Sequence, residues 1–139
     1  MDRDELAAWL RLTLSEGVGN ESARRLLAAF GLPQAIFSQS LAALEQVVSA
    51  PQAAQLLAEP EGLAPLLDTT WAWLQGQDET GQRRIITLGD PAYPASLLAT
   101  EDPPLLLYMM GQALDAHALS RCVAIVGSRN PTPQGEANA

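Results

Sequence analysis

The sequence predicts an α/β chain: a small all-α bundle over residues 1–77, then the incomplete beginning of a parallel sheet over 78–139. Three observations predict it. Residues Leu6, Trp9, Leu10, Thr13 and Leu14 open a series of segments with helical spacing that lasts to about residue 77. Short apolar runs bounded by glycine and proline follow, at 84–88, 105–110 and 122–127. The last run breaks at Gly127 into small and hydroxylated residues, as a buried parallel strand does when it hands over to a loop and a helix.

The first helix starts at Asp2, with Glu5 three residues on in a capping-box pattern, and breaks at Ser15-Glu16-Gly17-Val18-Gly19-Asn20. A second runs from Glu21 to Phe30, with Ala23, Leu26, Leu27 and Phe30 inward and Gly31 as its stop. Shorter pieces are expected at Pro33 to Phe37, Leu41 to Val48 and Pro51 to Ala58. A longer helix is expected from Gly62 to about Gln75, with Leu63, Leu66, Leu67, Trp71 and Leu74 on its core face. No fixed-period repeat is present.

The turn Gly17-Val18-Gly19-Asn20, followed by Arg24 and Arg25, is similar to a helix-hairpin-helix turn, in which backbone donors at a helix start meet DNA phosphates. It fits equally a plain interhelical turn in a sterile-alpha-motif-like bundle. Residues 1 to 80 hold eleven acids against four arginines, a balance that repels a phosphate backbone. Gly17, Gly19, Arg24 and Arg25 therefore form a secondary candidate for DNA contact, with packing as the other reading.

Gln75 to Arg84 is polar and reads as a linker. Arg84 to Leu88 then reads as a strand, Pro94 to Ala99 as a short helix and Leu105 to Met110 as a strand ended by Gly111. Pro103 and Pro104 belong just before that strand, because neither can donate to a ladder. Tyr93 and Tyr108 are candidate base-stacking platforms, although half-buried packing with a satisfied hydroxyl is the commoner use of such tyrosines.

The run Cys122-Val123-Ala124-Ile125-Val126-Gly127 reads as the first strand of a Rossmann-like domain, with Cys122 a small buried hydrophobe at its start. After Gly127, Ser128 offers a hydroxyl beside backbone donors and Arg129 a planar fork that suits phosphate oxygens. Thr132 is placed to cap the next helix, with Pro133 at its first position. The loop is neither the dinucleotide fingerprint nor a Walker loop, and an ordinary strand-to-helix turn also fits its spacing. Only four residues follow Gly135, so the domain is read as cut short.

Two stretches in order carry a resemblance. Gly89-Asp90-Pro91-Ala92-Tyr93-Pro94 runs on to Pro103-Pro104-Leu105-Leu106-Leu107-Tyr108-Met109-Met110-Gly111, and Val123-Ala124-Ile125-Val126-Gly127-Ser128-Arg129 follows, then Thr132 and Gly135. Together they resemble the DNA-processing protein A family (DprA, or Smf), over about residues 85 to 135. The resemblance implies a helical N-terminal module and a Rossmann-like domain that binds single-stranded DNA. It also implies a cytoplasmic protein of competence and natural transformation that loads a RecA-type recombinase, with self-association in the full-length parent. Ser128 and Arg129 match family positions at the phosphate-binding pocket, and the loop's own chemistry adds Gly127 and Thr132 as candidate phosphate-binding residues. Gln134 departs from the pattern, where an aromatic is expected before Gly135.

Composition narrows the choice further. A net charge of -8 is unlike a free-standing nucleic-acid binder, which tends to be basic. All eight basic residues are arginine. The sequence shows no signal peptide and no run long enough to span a membrane. One cysteine excludes a disulfide within the chain, and His117 is read as a solvent-facing connector residue. No catalytic residue, metal or cofactor is expected. The alternatives are a fragment of a phosphoribohydrolase-like nucleotide-processing enzyme, for which the chain supplies no nucleophile or paired carboxylates, and an acidic protein-interaction module.

Overall fold

The computed structural model describes residues 1–76, 81–112, 121–127, 130 and 132–138. The linker residues 77–80 and His117 lie outside them. Among the described residues the chain is mixed helix and strand, with an incomplete sheet of two strands.

Helix α1 (Arg3–Leu14) begins where Asp2 accepts the Glu5 backbone N–H at 2.8 Å, and Asp4 and Glu5 sit at the positive end of its dipole. Helix α2 (Asn20–Phe30) stops at Gly31, whose φ of +88° suits glycine and whose N–H donates to the Leu27 carbonyl at 2.8 Å. The short helices α3 (Pro33–Phe37), α4 (Leu41–Glu45) and α5 (Ala50–Leu57) each start on a cap or a proline. Pro33 lies in the first turn of α3, Ser40 Oγ accepts from Ala43 N at 3.2 Å, and Ser49 with Gln52 forms a reciprocal capping box. Helix α6 (Leu63–Gln75) packs along α1.

One detail of α1 differs from its pattern. Thr13 is exposed and its hydroxyl donates to the Leu10 carbonyl at 2.7 Å, while Leu12 is fully buried. The reason is that α1 is buried on two sides, not along one stripe. Trp9 and Leu12 enter a cluster with Leu26, Ile36 and Leu56, whereas Leu6 and Leu10 enter a second with Leu63 and Ile85.

Strand β1 (Gln82–Thr87) pairs antiparallel with β2 (Leu106–Gly111), Ile85 opposite Tyr108, and Leu88 N donates to Leu105 O at 2.8 Å to extend the ladder. Between the strands lies a single turn, α7 (Ala95–Leu98). The hairpin packs on the bundle: Leu105 joins the cluster of Trp9 and Leu26, Ile85 joins that of Leu6 and Leu63, and Leu106 touches both.

The expected buried strand at 122–127 is not found. Val123, Ile125 and Val126 are 85%, 81% and 92% exposed, and Cys122, expected inside, is exposed too. A parallel strand needs hydrogen-bonded neighbours and helices on both faces, and no described strand pairs with this one. Amides of Ala124 to Val126 are accordingly expected to exchange with solvent faster than those around Leu26. Hydrogen exchange that showed stronger protection at Ala124 to Val126 would contradict this. Helix α8 (Pro133–Asn138) closes the described chain.

Candidate nucleic-acid interface

The candidate phosphate loop is described at its two ends. Gly127 is exposed, with open space where a side chain would stand, and Ser128, Arg129 and Pro131 lie outside the described residues. On the far side Thr132 caps as its position suggests: its Oγ1 accepts the Gly135 N–H at 3.1 Å and its carbonyl accepts from Glu136 N at 2.9 Å. Pro133 is the first helical residue, and Gln134 donates to Asn138 Oδ1 at 3.0 Å along one face of α8. Thr132 and Pro133 thus have the local chemistry of a helix start, while residues 122–127 pair with no strand among the described residues.

The secondary candidate is fully described. Gly17, at φ +74°, and Gly19, the residue before α2, flank Val18, which is buried in the core. Gln52 Nε2 fastens the turn by donating to the Gly17 carbonyl at 3.1 Å and to Ser22 Oγ at 3.0 Å. Arg24 Nη1 donates to Asp102 Oδ1 at 2.8 Å and to the Pro103 carbonyl at 3.0 Å, and Asn20 Nδ2 reaches Asp102 Oδ2 at 3.3 Å. Arg25 Nη2 donates to the Val47 carbonyl. Both arginines are therefore engaged with the chain itself. Together Asn20, Arg24 and Asp102 clamp the start of α2 to the loop that enters β2.

Nothing local in the sequence could pair Asp102 with a residue 78 positions earlier. Hydrogen bonds from Arg24 and Asn20 hold its carboxyl below the ordinary carboxylate value. A carboxyl with a depressed folded pKa contributes stability above the unfolded pKa and loses it as pH falls through the folded one. Asp102→Asn is therefore expected to remove a small, salt-screened contribution at neutral pH and none in acid. The check is chemical denaturation of both proteins from neutral to acid pH. A difference that grew as pH fell would contradict the clamp.

The tyrosines are packing residues. Tyr93 is buried, its hydroxyl donates to the Pro104 carbonyl at 2.8 Å, and burial raises its phenol above the ordinary value. Tyr108 is half exposed but meets Trp73 edge-on at 5.4 Å between ring centroids, with Thr70 Oγ1 3.4 Å from its hydroxyl. A groove of about 390 Å³ between α1, α6 and β1 brings Arg83 and Arg84 beside Glu5 and Asp90. That mixture of signs does not make an anion pocket. Among the described residues no three metal-ligating side chains cluster, and no helix is long and apolar enough to cross a membrane.

These features define a helical module joined to a β-hairpin, followed by an exposed segment at 121–127 and a short helix that starts at a Thr132 cap. Residues 84–139 match the model of the family described as DNA recombination-mediator protein A, the family that the two motifs resemble. The match spans less than half of the chain and contains both motifs. No curated protein and no solved structure matches the chain.

Proposed function

We propose that this chain is the N-terminal part of a single-stranded DNA-binding recombination mediator, which loads a RecA-type recombinase on incoming strands in the cytoplasm during natural transformation. The observation that carries this reading is the family match over residues 84–139, because it takes in the Gly89–Gly111 and Cys122–Gly135 stretches together. In this reading Gly127 lets a strand's backbone approach, Ser128 and the backbone donors of the loop bind phosphate oxygens, and Arg129 pairs with one phosphate. Thr132 and Pro133 fix the start of the helix whose dipole faces the same anion. The role is binding, not catalysis.

One observation favours a separate task for the helical module. Each of its four arginines is engaged within the chain: Arg3 with Asp68, Arg11 with the Leu56 carbonyl and the Phe37 ring, Arg24 with Asp102, and Arg25 with the Val47 carbonyl. Its exterior is left to carboxylates, which suits a protein partner better than a strand of DNA. To test the main reading, the chain is extended past Ala139 by the remainder of a Rossmann-like domain of the family and titrated with labelled oligonucleotides. Binding of single strands whatever their sequence is expected. An extended chain that folds but binds none would sink the proposal.

A further inference from the structure

We draw no further inference here: the strongest candidate, the groove where α1 and α5 end, lined by Leu14, Glu16, Glu59, Pro60 and Glu61, is a cluster of exposed carboxylates, and nothing in the structure shows what it binds.

Discussion

Leu105→Ala is expected to destabilise the chain by about 2–5 kcal/mol, the range for emptying a leucine site in a packed core. Leu105 is 3% exposed and lies among Trp9, Leu12, Leu26 and Leu56, far from all of them in sequence. With the partly buried Leu88 and Leu106 beside it, it brings this end of the hairpin into the main helical core. A loss of that size is a large share of the ~5–15 kcal/mol that holds a typical domain together, and it should be felt by helices and hairpin alike. Leu98→Ala, at a site 54% exposed, should stay within about 0.5 kcal/mol of the parent. Urea unfolding followed by circular dichroism and tryptophan fluorescence gives both values. A Leu105→Ala loss below ~1 kcal/mol would mean that the hairpin does not share the helical core.

The second large effect concerns DNA. The 139-residue chain by itself is expected to bind oligothymidylate more weakly than micromolar, even at low salt. Charge is one reason: at -8 the chain repels a polyanion, and strong salt-dependent binders neutralise several phosphates where the loop offers one arginine, Arg129. The arginines of the helical module do not make up the deficit, since each is engaged with the chain itself. Geometry is the other reason, because Val123 to Val126 are exposed and pair with no strand among the described residues. Fluorescence anisotropy with a labelled oligonucleotide measures this. Micromolar or tighter binding would contradict it and move the DNA contact to Gly17, Gly19, Arg24 and Arg25.

Local patterns predicted local structure well in this chain. The stop at Gly31, the end of the long helix at Gln75, the capping of α1, and the pieces near Pro33, Leu41 and Pro51 all follow from residues within one turn of the feature they determine. Periodicity failed where burial has more than one direction, as at Leu12 and Thr13, because a single apolar stripe is a poor description of a helix clasped on two sides. It failed again at Cys122 to Val126, where a β-branched run marks what a sheet would bury but cannot supply the neighbours that bury it.

Of the candidate site, the helix start at Thr132 and Pro133 was readable, since a cap is a local event. The engagement of Arg24 with Asp102 was not, and neither was the fastening of the Gly17 turn by Gln52. Both depend on chain reversals that bring distant residues together. They also bear on function, because an arginine that looks available in sequence is held by a carboxylate from another part of the fold.

The most direct measurement is the salt dependence of single-strand binding by the chain extended through a complete Rossmann-like domain, compared with its Arg129→Ala variant. If Arg129 pairs with one backbone phosphate, the variant should bind different single-stranded sequences more weakly by a similar factor. The slope of log K against log salt should then fall by about 0.7. An unchanged slope, or a loss confined to particular sequences, would contradict the assignment of this loop as a phosphate site.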